Sequence, residues 1–162
     1  MWKDVIKKFK PYVIGILIAL GVGGLSALFT KDNMNIFESI NKPALTPPMW
    51  LFPVVWGILF TLMGISSALV WKNGKDNLLE RDASLRTYGA QLAVNFFWSI
   101  IFFNMQEFLF AFIWLILLWL LIIRMILQFY KIDNRAAYLQ IPYLLWVTFA
   151  GYLTLMIYLL NR

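Results

Sequence analysis

Apolar and polar positions alternate along this chain in long blocks. Tyr12–Phe29, Trp50–Trp71, Thr87–Met105, Phe108–Ile123 and Tyr138–Leu160 carry no charge, and the charged residues fall between them. Each run approaches the ~20 residues that a helix needs to cross ~30 Å of hydrocarbon. Strands are excluded, because a membrane barrel would show alternating segments of ~10 residues. The pattern predicts helices at about 11–30, 50–71, 87–105, 108–130 and 138–160, with a loop at 31–49 over one mouth of the bundle. The fold class is therefore an all-α integral membrane protein, a five-transmembrane-helix bundle forming a single domain over residues 1–162.

The first run follows Lys3, Lys7, Lys8 and Lys10, as a signal peptide would, and Gly24-Leu25-Ser26 resembles a cleavage site. The run is long for a signal sequence and more spans follow, so it reads as a retained helix. Its Gly15, Ala19, Gly23 and Ala27 form a small-residue ridge. Such a ridge serves close packing within the molecule, or the seam of a homodimer. Pro47-Pro48 ends any helix before the second run, and Pro53 falls in that helix's first turn.

Charge sets the orientation. With five spans, eleven of the fourteen basic residues lie on one side: Lys3, Lys7, Lys8, Lys10, Lys72, Lys75, Arg81, Arg86, Arg124, Lys131 and Arg135. Lys31, Lys42 and Arg162 lie on the other. The asymmetry places the N-terminus in the cytoplasm and the C-terminus outside. It also accounts for the net charge of +6 without a nucleic-acid partner.

Composition then removes chemistry. The chain is 62% hydrophobic and 14% charged, with neither Cys nor His. Thiolate and imidazole metal sites, a Cys nucleophile and a His base are absent, and a haem would lack its usual axial ligands. No metal or cofactor is expected. No Asp or Glu lies inside a span, which disfavours a proton- or sodium-coupled transporter. Trp2, Tyr12, Trp50, Trp71, Tyr88, Tyr130, Tyr138 and Tyr158 sit at span ends as an aromatic belt. Trp114 and Trp119 fall mid-span with no polar partner in view, so they are expected to pack or to face lipid.

Helical spacing groups the remaining polar and aromatic residues on three faces. Trp56, Phe60, Met63 and Ser67 share one; Gln91, Asn95, Trp98 and Phe102 another; Trp146, Ala150 and Leu153 a third. Interhelical hydrogen bonding accounts for such faces at least as well as a ligand pocket does.

The motifs carry a resemblance. Lys42-Pro43 with Thr46-Pro47-Pro48, Trp50-Leu51-Phe52-Pro53-Val54-Val55-Trp56-Gly57, Gln91-Leu92-Ala93-Val94-Asn95-Phe96-Phe97-Trp98-Ser99 and Pro142-Tyr143-Leu144-Leu145-Trp146 run in one order. The chain resembles a bacterial-type member of the translocator protein family, the tryptophan-rich sensory proteins. That resemblance implies five helices, usually as a homodimer, with a pocket under the first loop. It also implies binding of porphyrins and similar apolar aromatic ligands, and of sterol in animal members. By position, the pocket would be lined by Pro47, Trp56, Phe60, Asn95, Trp98, Ser99, Phe102, Trp146, Ala150 and Leu153.

Three functions are carried forward. The first is a membrane receptor or transporter for porphyrins. The second is an enzyme of light- and oxygen-dependent porphyrin breakdown, with Trp56 and Trp146 as the catalytic residues that the resemblance implies. The third is a regulatory membrane protein with no small ligand. Lys42 is a candidate partner for a ligand carboxylate. Leu45 and Thr154 depart from the family pattern, where an aromatic residue and Asn are common. The Leu155–Tyr158–Arg162 pattern resembles a sterol motif, but an interfacial Tyr with a snorkelling Arg explains it equally.

Overall fold

The computed structural model describes all residues, Met1–Arg162, and is entirely helical. In chain order the helices are α1 (Trp2–Thr30), α2 (Ile36–Ser39), α3 (Leu51–Asn73), α4 (Leu78–Ser99), α5 (Phe108–Ile132), α6 (Asn134–Leu139) and α7 (Ile141–Asn161). α4 continues into one wider turn of π-helix, Ile100–Asn104. Four units are long and apolar enough to cross a membrane: α1, α3, α5, and α6 with α7 taken together. α4 taken whole is less apolar than these four, because Glu80, Arg81, Asp82 and Arg86 occupy its first turns.

Several boundaries differ from those the hydropathy pattern predicts. α1 reaches back to Trp2 through Pro11, whose missing donor only releases the carbonyl of Lys7 near the exposed N-terminus. Most of the charged segment 72–86 is helix rather than loop. Asn77 caps α4, accepting from the Glu80 N–H at 3.1 Å while its amide reaches the Glu80 carboxylate at 3.3 Å. The α3–α4 turn closes at Gly74, where a Cβ would lie 2.7 Å from that of Arg81. The last span is broken at Gln140, with Pro142 in the first turn of α7.

α1 and α3 pack along most of their lengths. A side chain on Gly15 would overlap the Gly64 carbonyl, and one on Gly64 would overlap the backbone at Ile16. A Cβ on Gly23 would stand 2.6 Å from the Phe60 ring. Gly15, Ala19 and Gly23 are therefore used inside the molecule, which leaves them unavailable as a homodimer seam. Gly89 on α4 meets nothing within 4 Å and stays open.

The main core joins Met63, Leu92, Leu118, Ile122, Met125, Phe129, Tyr143 and Val147 from α3, α4, α5 and α7. A smaller cluster of Phe37, Ile101, Phe102, Ala111 and Ile157 sits beneath the first loop. Large apolar side chains remain exposed along α1 (Val13, Leu17, Leu25, Leu28) and α5 (Ile113, Ile116, Leu117, Leu120). A contiguous apolar surface of this kind is incompatible with water and suited to lipid.

Trp114 and Trp119 correct the expectation that they lack polar partners. Trp114 donates its indole N–H to the Val94 carbonyl at 2.7 Å, and Trp119 donates to the Thr148 hydroxyl at 2.9 Å. These bonds pin α5 to α4 and to α7.

Candidate functional site

Trp56 and Phe60 stand one turn apart on α3, with ring centroids 5.6 Å apart. Asn95, Trp98 and Ser99 present the matching face of α4. Between them and α1 lies a recess of about 320 Å³, lined also by Gly23, Gly24, Ser26, Ala27, Thr30, Phe52 and Phe103. No charged residue lines it. The recess exists because α1 offers small residues there, so the rings of α3 meet backbone rather than bulky side chains.

A buried polar relay forms beside this recess. Asn95 donates its amide N–H to the Tyr143 hydroxyl at 2.7 Å, and that hydroxyl donates to Gln91 Oε1 at 2.6 Å. The Gln91 amide then points to the Met63 sulfur at 3.9 Å. Each step offsets the cost of burying a polar group in an apolar bundle. The Tyr143 ring also meets Trp56 edge-on at 6.2 Å, which fixes the indole from behind. Ser26 donates to Ser99 at 2.8 Å and ties α1 to α4 at the recess wall. The Trp98 indole N–H is buried without an acceptor, so one donor of the wall remains unspent.

The residues singled out from the sequence divide into two groups. Trp56, Phe60, Asn95, Trp98 and Ser99 come together around the recess. Phe102 does not line it; its ring stacks on Trp98 at 5.2 Å and is buried in the smaller cluster. Phe103 takes the lining position, because the wider π-turn moves the cavity-facing site one residue along. Trp146 lines a separate outer groove with Val55, Ile58, Leu59, Pro142, Leu145 and Phe149. It reaches the recess only through Phe52, whose ring lies 5.9 Å from it. Ala150 packs against the main core and Leu153 is buried in α7. Pro47 lies half-buried in the first loop, off the lining. The contribution of α1 had no signal beyond its small-residue ridge, which equally describes packing.

The first loop is clasped over this end of the bundle. Asn161 Nδ2 donates to the Asn41 carbonyl at 2.8 Å, and the Asn41 N–H donates back to Asn161 Oδ1 at 3.0 Å. Asn33 donates to Asn104 at 2.8 Å, and Asn104 donates to the Phe29 carbonyl at 3.0 Å. Lys42 donates to the Phe37 carbonyl at 2.7 Å and lies over the Phe37 ring. Its ammonium thus holds the loop together, and an incoming carboxylate would compete for it.

Chemically, the recess offers flat aromatic walls and few directional donors, which suits an apolar planar guest. Comparison with known proteins agrees with the motifs. The model of the TspO/MBR family matches residues 14–160. The chain is 38% identical to the "Tryptophan-rich protein TspO" of Chlorobaculum tepidum, over 91% of this chain and 92% of that protein. It is 33% identical to the "Tryptophan-rich sensory protein" of Cereibacter sphaeroides, over 70% of this chain and 69% of that one. It is 31% identical to the bovine "Translocator protein", over 88% of this chain and 87% of that protein.

Proposed function

The chain belongs to the TspO/MBR family, and from that premise we propose that it is a five-span membrane receptor for porphyrins and similar apolar aromatic ligands. The observation that carries the reading is the charge-free recess walled by Trp56, Phe60 and Trp98. At about 320 Å³ it lies near the lower end of small-molecule sites, so a macrocycle enters edge-first and keeps its polar substituents at the mouth. Stacking on indole supplies affinity, while Asn95 and Ser99 set orientation. Phe102 and Trp146 act behind the wall, through Trp98 and Phe52.

α4 supplies the fifth span in this reading. Thr87–Asn104 is uncharged and extends over ~27 Å at helical rise, close to the hydrocarbon thickness. The N-terminus then lies in the cytoplasm, and the protein is a homodimer whose interface uses the open face of α4 at Gly89 and Ala93.

Porphyrin titration of the purified protein, followed by tryptophan quenching, tests the receptor reading. Trp56→Ala should weaken binding by about tenfold, the size of one lost aromatic contact. Trp146→Ala, off the lining, should weaken it less. Unchanged affinity in Trp56→Ala would reject the recess as the site.

Light-driven breakdown is the second reading, favoured by one observation: oxidisable Trp56 lines the recess. A bound porphyrin would supply the photochemistry, and the protein would hold it and exclude solvent. Trp56→Phe should then lower photoproduct yield far more than affinity. Equal yield in wild type and variant would leave a receptor without enzymatic activity.

A further inference from the structure

The first turns of α1 reach beyond the membrane. α1 is 29 residues long, ~43 Å at helical rise, whereas the hydrocarbon is ~30 Å thick. The uncharged run Tyr12–Phe29 covers most of that thickness, so the residues before Pro11 emerge from it. Every residue from Met1 to Lys10 is exposed. These residues are not uniformly polar. Trp2, Val5, Ile6 and Phe9 fall at helical spacing on one face, with Trp2 77% and Ile6 61% exposed. Lys3, Lys7, Lys8 and Lys10 occupy the opposite arc. The one acid among them, Asp4, lies 3.7 Å from the Met1 amine. The apolar stripe runs on into Val13, Leu17 and Leu20, exposed residues of the span itself, while Gly15 and Ala19 turn another side of α1 to the bundle.

Continuity with the span holds this stripe at the membrane boundary, and the lysines set the charge of the surface that it meets. We propose that residues 2–10 are an interfacial anchor that lies on the leaflet surface and recognises anionic phospholipid headgroups. Trp2, Val5, Ile6 and Phe9 enter the boundary between headgroups and acyl chains, and the four lysines stay among the phosphates. Pro11 supplies the bend. Its ring crowds the carbonyl four residues back, that of Lys7, so the helix opens on the proline side and bends away from it. Pro11 follows Phe9 by two residues, about 200° of helical turn, so the bend carries the segment towards its own apolar stripe. That stripe continues the lipid side of α1, so the segment comes down on lipid and not on the neighbouring helices. A zwitterionic leaflet accepts the stripe but gains little from the lysines, so the anchor discriminates by headgroup charge. The inference uses the membrane setting alone and is independent of what fills the Trp56 recess.

The chain has no cysteine, so one introduced cysteine carries a single spin label on the full-length protein. Collisions with oxygen and with a water-soluble nickel chelate then report the depth of that label in bilayers of phosphatidylglycerol or phosphatidylcholine. In phosphatidylglycerol a label at Ile6→Cys should lie ~5–10 Å into the boundary region, and one at Asp4→Cys should stay in water. The docked-to-free ratio at Ile6→Cys should be smaller in phosphatidylcholine. Lys3→Gln or Lys10→Gln should lower the ratio roughly fivefold in phosphatidylglycerol, the attraction of one basic residue for an anionic surface, and leave it unchanged in phosphatidylcholine. Phe9→Ser should lower it about tenfold in both lipids. Lys31→Gln, at the far end of α1, should match wild type. Equal water exposure at Ile6→Cys and Asp4→Cys would overturn the anchor. An equal ratio in the two lipids, or an unchanged one in the lysine variants, would overturn the recognition of anionic lipid. Spin–spin coupling between Ile6→Cys labels on two copies of the chain would overturn lipid as the occupant.

Discussion

Tyr143 on α7 and Gln91 on α4 share a 2.6 Å hydrogen bond in the centre of the bundle, both fully enclosed. Asn95 completes the relay from the recess side. Tyr143→Phe keeps the ring but leaves Gln91 Oε1 without a donor and Asn95 without its acceptor. Stability in detergent should fall by roughly 1–3 kcal/mol. Adding Gln91→Leu should cost less than the two single changes together, because the orphaned acceptor leaves with its partner. Thermal unfolding of the four proteins measures the coupling, and strict additivity would show that the relay is not a unit.

The α1–α3 contact predicts a contrast between glycines. Gly64→Ala places a methyl group against the backbone at Ile16, which cannot retreat without parting the helices, and should destabilise by about 1–3 kcal/mol. Gly89→Ala meets open space and should stay within ~0.5 kcal/mol of wild type. Melting temperatures in one detergent decide the point.

Asp133 predicts an acid-side sensitivity. It accepts from the Arg135 backbone N–H at 2.9 Å, capping α6, and pairs with the Arg135 guanidinium at 2.9 Å. The Arg135 side-chain bonds hold its carboxyl below the usual carboxylate range, against the opposing effect of its own burial. Because the folded-state value is the lower one, this stabilisation is complete above the unfolded value of ~4 and is lost as pH falls through the folded value. Asp133→Asn should therefore be less stable than wild type at neutral pH, and the gap should narrow as pH drops below ~4. A constant difference across that window would show that the ionised form contributes nothing.

Topology follows from the basic residues. A reporter inserted between Lys72 and Arg86 should act in the cytoplasm, and one fused after Arg162 should act outside it. Activity of both on one side would remove α4 from the set of spans.

Reading these elements from the sequence succeeded where one helix carried the whole signal. Trp56 with Phe60, and Asn95 with Trp98 and Ser99, were legible because a helix repeats every 3.6 residues and each pair lies within one helix. It failed where the partner lay elsewhere. The Val94 carbonyl that accepts from Trp114 is a backbone atom, and no side-chain pattern reports it. The exchange of Phe102 for Phe103 depends on one π-turn, which a regular helical period cannot anticipate. The Gly23 to Thr30 side of the recess was invisible for the opposite reason: small residues make a space by what they lack. The start of α4 was missed because charge was equated with loop, whereas Asn77 capping lets a charged helix emerge beyond the apolar zone.

Gly15 and Gly64 meet backbone to backbone, with no side chain interposed, near the middle of α1. Two backbones in contact fix how near α1 can stand to α3, so every side chain on the facing surfaces works within the clearance that this one contact leaves.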